Sequence, residues 1–124
     1  DQWLAEMALC FAYPFNLWGM RIVAAVPFIG QDSRWPKEAR NDSRELLRRL
    51  KLSGGTVEVI RKLQPASDWQ AAEWMNERDV WMGDRGNFGL AGYNGDLEGG
   101  TCNTVRYMRT RQMLLEVINP DDFR

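Results

Sequence analysis

Residues 41–60 read Asn-Asp-Ser-Arg-Glu-Leu-Leu-Arg-Arg-Leu-Lys-Leu-Ser-Gly-Gly-Thr-Val-Glu-Val-Ile, and this stretch decides the class of fold. Asn41 or Asp42 can cap a helix, because a short side-chain oxygen accepts from a free first-turn N–H. Glu45 puts a negative charge in the first turn, where the helix dipole favours it. Leu46, Leu47 and Leu50 form an apolar stripe, and Arg48, Arg49 and Lys51 load the C-terminal end with positive charge. Gly54-Gly55 stops the helix. Thr56 to Ile60 then alternates as a strand does.

On the N-terminal side, Arg21 to Val26 is a short, partly β-branched run between Gly19 and Pro27, and it reads as a buried strand. Gly30 to Trp35 is a polar loop. Residues 2–12 read as a helix, with Trp3, Leu4, Met7, Ala8 and Phe11 on one stripe and Pro14 ending it. On the C-terminal side, Ser67 and Gln70 form a capping-box pattern that opens a helix to about Met82. Ala71, Trp74, Met75 and Trp81 supply much of its apolar surface, and Gly83 closes it. Gly83 to Gly100 holds seven glycines in eighteen residues and reads as a long loop. Thr104 to Met108 fits either helix or strand. Met113 to Ile118 favours strand, and Asn119-Pro120 ends it. The expected architecture is one α+β domain, residues 1–124, with a mostly antiparallel sheet and two or three helices packed on one face.

Composition narrows the chemistry. The chain has 124 residues, 44% of them apolar, which suits a single modest core. It has no histidine, so Ser-His-Asp and Cys-His nucleophile pairs and His-ligated metals are excluded. Cys10 and Cys102 cannot close a zinc site by themselves. A disulfide between them is not indicated; two reduced, buried thiols are expected, in a cytoplasmic or other reducing compartment. No signal peptide is visible, although the chain opens at Asp1 rather than Met. The longest apolar run, Ile22 to Ile29, is too short to span a bilayer, so no membrane partner is expected. The net charge of −1 hides an asymmetry. Arg34 to Lys62 holds nine basic and four acidic residues, whereas Ala66 to Gly100 holds seven acidic and two basic ones.

Six tryptophans stand out. Trp3, Trp69 and Trp74 fall on apolar helix faces and read as core. Trp35 follows Gln31-Asp32-Ser33-Arg34 and precedes Pro36-Lys37. With Arg34, Lys37 and Arg40 around it, it reads either as a cover for the edge of the core or as a platform for a planar anion. In the second case the indole stacks on a base while the cations meet phosphate. Asp84 and Asp96 are a carboxylate pair, but acid–base work needs a fixed separation that a glycine-rich loop does not promise. That loop also lacks the Gly-Lys-Ser/Thr of a phosphate-binding P-loop.

Four pieces of residues 1–61 occur in a telling order. They are Trp3-Leu4 with Leu9-Cys10; Gly19 before Ile22-Val23-Ala24-Ala25-Val26; Ser33-Arg34-Trp35-Pro36-Lys37-Glu38-Ala39; and the helix through Leu52, the Gly54-Gly55 break and the strand Thr56 to Ile60. In this order they resemble the cap-binding translation initiation factor 4E family. The resemblance implies a curved antiparallel sheet, backed by helices, that binds the methylated guanine cap of mRNA. Trp35 would lie beside the methyl group, and Arg34, Lys37 and Arg40 near the phosphates. Trp3 and Leu4 would lie nearest the face that docks initiation-factor partners. The family carries its base-sandwiching aromatic pair and an acidic residue before the opening helix. Here Trp81 with Asp84, or Tyr93 with Asp96 and Gly99-Gly100, are the candidates for those roles. The family also has a basic residue where this chain reads Val26-Pro27.

The expected function is therefore a non-enzymatic binding protein for an RNA cap or guanine nucleotide, with a protein partner and no cofactor. Its ligand residues are Trp35, Arg34, Lys37, Arg40, Trp81 and Asp84, and its partner residues Trp3 and Leu4. Two alternatives stay open. One is an assembly subunit without a small ligand, using exposed tryptophan and the Arg-rich helix Asp42–Leu52. The other is a small acid–base enzyme using Asp84, Asp96 or Glu98.

Overall fold

Two strand–helix–strand segments and one further helix make up most of the described residues. The computed structural model describes residues 22–123, so the expected helix at residues 2–12, with Trp3, Leu4 and Cys10, lies outside the described residues. The fold divides into two compact units, residues 1–64 and 65–124.

In unit 1, β1 (Val23–Phe28) leads through a connection to α1 (Lys37–Leu52) and then β2 (Thr56–Arg61). The two strands pair in parallel, with Val23 opposite Thr56, Ala25 opposite Glu58 and Phe28 opposite Arg61. A parallel pair needs a crossover, and α1 supplies it. Leu46 and Leu50 of α1 are buried against Ile22, Ala24 and Val57. The leucine stripe thus does what its spacing predicts. The helix starts earlier than expected, with Pro36 rather than Asn41 or Asp42 at its N-cap, and no side chain caps it. The proline ring presets φ at −52° for a chain about to turn helical. At the other end the Ser53, Gly54 and Gly55 N–H groups return to the Arg49, Lys51 and Leu50 carbonyls, which closes the last turn.

In unit 2, α2 (Asp68–Arg85) precedes β3 (Phe88–Gly92), α3 (Gly100–Thr110), β4 (Leu114–Ile118) and a short 3-10 turn (Pro120–Phe123). Ser67 caps α2 as expected, its hydroxyl accepting from the Gln70 N–H at 3.1 Å. The Gln70 side chain reaches back to the Ala66 N–H at 2.7 Å. Strands β3 and β4 pair in parallel, Phe88 opposite Leu114 through Gly92 opposite Ile118. Helix α3 packs on both strands and on α2, burying Cys102 and Val105.

The mixed α+β content agrees with the sequence, whereas the antiparallel sheet does not: both strand pairs are parallel. The physical reason is the helix between each pair, which carries the chain back so that the second strand runs the same way. The expected loop at 83–100 is also corrected. Gly83 lies inside α2, and Phe88–Gly92 is a strand. Gly86-Asn87 and residues 93–99 are the connections. Gly89 lets the neighbouring side chains pack close in that strand, since a Cβ there would lie 2.5 Å from the Met108 sulfur and 2.9 Å from Leu115 Cδ1. Thr104 to Met108 is helical, as part of α3. Among the tryptophans read as core, Trp74 is buried, but Trp69, in the first turn of α2, is 74% exposed. No helix among the described residues is long and apolar enough to cross a membrane.

Candidate functional site

Parallel strands bring their carboxyl ends, and the loops that follow them, to one edge, where α/β folds hold ligands. In unit 1 that loop is residues 29–36, and it contains the residues singled out from sequence. Gly30 turns the chain with φ of 76°, a conformation open to glycine. The Ser33 N–H donates to the Gly30 carbonyl and the Trp35 N–H to the Asp32 carbonyl, both at 3.0 Å. The Asp32 carboxylate accepts from Arg44 Nε at 2.8 Å, tying the loop to the second turn of α1. Trp35 is therefore presented by two successive turns and an ion pair rather than by a slack loop, and it is half-buried.

The cations gather at the same place. Arg34 is in the loop, and Lys37 and Arg40 are three residues apart in the first turn of α1, so they share one helix face. Arg40 also begins the backbone ladder, its N–H donating to the Pro36 carbonyl at 3.0 Å. Further along α1, Arg44 is held by Asp32 and Arg48 by Glu45, whose carboxylate lies 2.6 Å away. Glu45 sits below its ordinary pKa because it accepts a hydrogen bond from Arg48. Arg34 and Trp35 thus end the β1–α1 connection and Lys37 and Arg40 lie in the first turn of the helix that follows, an arrangement suited to an aromatic ring joined to an anion.

Trp81 and Asp84 belong to unit 2, on α2, and each is engaged there. The Arg85 guanidinium stands 3.9 Å from the centre of the Trp81 ring and donates to the Trp81 carbonyl at 3.1 Å. That cation occupies a face a base would need. Asp84 accepts from Arg111 Nη1 at 2.9 Å and from the Tyr107 hydroxyl. The Tyr107 pKa is raised, first by that hydrogen bond to Asp84. Asp84 is thereby a tie between α2 and the end of α3.

The β3–α3 connection gathers the other acidic candidates. Asp96 accepts from Asn94 Nδ2 at 3.0 Å and returns its own N–H to Asn94 Oδ1 at 3.1 Å. The Tyr93 hydroxyl donates to the Asp96 carbonyl. The Tyr93 pKa is raised, first by hydrogen bonding with the Cys102 thiol. A recess of about 240 Å³ here is lined by Asp96, Glu98, Asp121 and the start of α3. Asp84 and Asp96 answer to different partners, and both are exposed. Trp3 and Leu4 lie outside the described residues.

Sequence reading missed Asp32, whose bond to Arg44 spans twelve positions that no helical spacing connects. It also missed Arg106 and Arg109. Their three-residue separation was the available signal, but it carried no weight while their segment was unassigned between helix and strand. No protein-family model matches the chain, and comparison with curated proteins also gives no match.

Proposed function

We propose that this chain is a nucleotide-binding protein that acts by holding its ligand rather than transforming it. The site is the β1–α1 connection. Trp35 stacks on the base, and Arg34, Lys37 and Arg40 neutralise the phosphate charge. The mRNA cap is the narrower form of this reading, and it rests on the sequence resemblance. The observation that carries the broader reading is the position of Trp35 and its cations together at the carboxyl end of a parallel strand and at the start of a helix. The Asp32–Arg44 pair supports it by ordering the loop before any ligand arrives.

The test is a titration with methylated and unmethylated guanine nucleotides and adenosine monophosphate, followed by tryptophan fluorescence. Saturable quenching is expected, lost in Trp35→Ala and weakened in Lys37→Gln. Quenching by the methylated form alone supports the cap. Quenching by all three supports general nucleotide binding. Absence of quenching in folded protein defeats both.

A second reading, an assembly subunit, is favoured by one separate observation. In unit 2 the sheet leaves Phe88, Leu90, Leu114 and Ile118 between 44% and 72% exposed. Parallel sheets are ordinarily covered on both faces. A monomer in size measurements, with no binding of an apolar dye, counts against this reading.

A further inference from the structure

A cavity of about 420 Å³ opens where β3 and β4 end in unit 2. Its volume lies in the range of small-molecule sites. Leu97, Val105 and Val117 give it an apolar lining, and Arg106, Arg109 and Asn119 bring hydrogen-bond donors. No carboxylate side chain lines it.

We propose that this cavity binds a small organic phosphate, with the phosphate on Arg106 and Arg109 and the organic part against the apolar lining. Four observations carry the proposal. First, the two arginines lie one helical turn apart on α3, so their guanidinium groups can reach the same anion, and the guanidinium fork matches phosphate oxygens. Second, neither arginine has a carboxylate partner among the described residues. Arg106 is held in place by donating to the Leu97 carbonyl at 3.2 Å, which leaves its charge unneutralised. Third, Asn119 is oriented. Its Oδ1 accepts from the Asp121 N–H at 2.9 Å, so the amide NH₂ is the donor that remains. Fourth, the positive charge is local. The neighbouring recess is lined by Asp96, Glu98 and Asp121, so a general basic surface is not what gathers the anion. The site lies at the carboxyl ends of parallel strands, as the unit 1 loop does, but it is built from unit 2 alone and does not rest on Trp35.

The experiment uses the full chain, labelled with nitrogen-15, and two probes: phenyl phosphate and inorganic phosphate. Phenyl phosphate is expected to give saturable shifts at Gly95, Leu97, Arg106 and Arg109, with inorganic phosphate binding more weakly at the same place. Arg109→Gln is expected to weaken phenyl phosphate about tenfold or more, since a charged hydrogen bond is lost. Asn119→Asp keeps the oxygen that accepts from Asp121 but adds a negative charge to the cavity, and it is expected to weaken binding by a similar factor. Lys51→Gln, an equal loss of charge at the end of α1, is expected to leave binding unchanged. Should Arg109→Gln fail to fold, Asn119→Asp decides. The proposal is overturned by absence of saturable shifts in residues 93–119, or by unchanged affinity in either folded cavity variant. Shifts confined to residues 29–40 also overturn it, while leaving the nucleotide site of unit 1 standing.

Discussion

Units 1 and 2 repeat one scheme, a strand, a helix and a parallel strand, yet the connection after the first strand carries a cation in unit 1 and none in unit 2. Residues 29–36 carry Trp35, one charge of each sign in Asp32 and Arg34, one glycine at positive φ, and a proline at the helix start. Residues 93–99 carry Tyr93, two carboxylates, no cation and two glycines at positive φ, and Gly99 with φ of 106° opens the helix. The strands and helix faces are set by alternation and by the 3.6 period, which leave little room to differ. The connections are free of that demand, so ligand chemistry can vary there without disturbing the core.

The cores themselves provide the harshest way to break the comparison. Unit 1 closes on Leu50 and unit 2 on Val105, each 1% exposed. Leu50→Ala is expected to cost roughly 2–5 kcal/mol, because a cavity remains where the side chain stood. Val105→Ala removes only two methyl groups and is expected to cost about 1.6 kcal/mol at ~0.8 kcal/mol for each. Urea unfolding midpoints measure both. A larger loss for Val105→Ala would mean that unit 2 holds the more demanding core.

Two glycines sharpen the point at smaller scale. A Cβ on Gly55 would lie 2.7 Å from Leu50 Cδ2 and 2.8 Å from the Ile22 carbonyl oxygen, which is fixed by accepting the Thr56 N–H. Backbone cannot yield, so Gly55→Ala is expected to destabilise by about 1–3 kcal/mol. At Gly89 the closest atom is the sulfur of Met108, on a side chain with rotatable bonds. Gly89→Ala is expected to cost under about 1 kcal/mol. Equal losses would show that Met108 is as confined as a main-chain carbonyl.

The same contrast explains what could be read from the sequence. The stripe Leu46, Leu47, Leu50, the Gly54-Gly55 stop and the strand from Thr56 were legible because each rests on local spacing. Parallel pairing was not. Thr56 and Glu58 with Val57 and Val59 give β2 the alternation usual for antiparallel strands with one wet face, and Glu116 breaks the apolar run of β4. The order strand, helix, strand around residues 23–61 was the better guide, since a crossover helix favours parallel return. Strand β3 was hidden by its glycines, which serve packing at Gly89 rather than flexibility. The Trp35 cluster was legible because its members are adjacent in sequence. The Arg106–Arg109 cavity was not, because it needs Asn119 and the 93–97 loop brought to α3 by the fold.

The mildest test concerns alkaline pH and separates the units again. Both tyrosines among the described residues, Tyr93 and Tyr107, lie in unit 2. The Tyr107 hydroxyl donates to Asp84, so its neutral form is favoured in the fold and its pKa is raised above the ordinary value of about 10. Arg111, beside the same carboxylate, acts in the opposite direction and leaves a net rise. A group whose folded pKa is raised binds more protons folded than unfolded at pH values between the two. Its contribution is therefore complete below the unfolded pKa and is lost as pH rises through the folded one. The hydroxyl is solvent-exposed, so the effect is expected to be small and screened by salt. Urea midpoints of wild type and Tyr107→Phe, compared from pH 8 to pH 11 (roughly two units below and one above the ordinary tyrosine value), should converge at the alkaline end. Parallel curves would mean that the Tyr107–Asp84 hydrogen bond adds nothing to the Asp84–Arg111 pair.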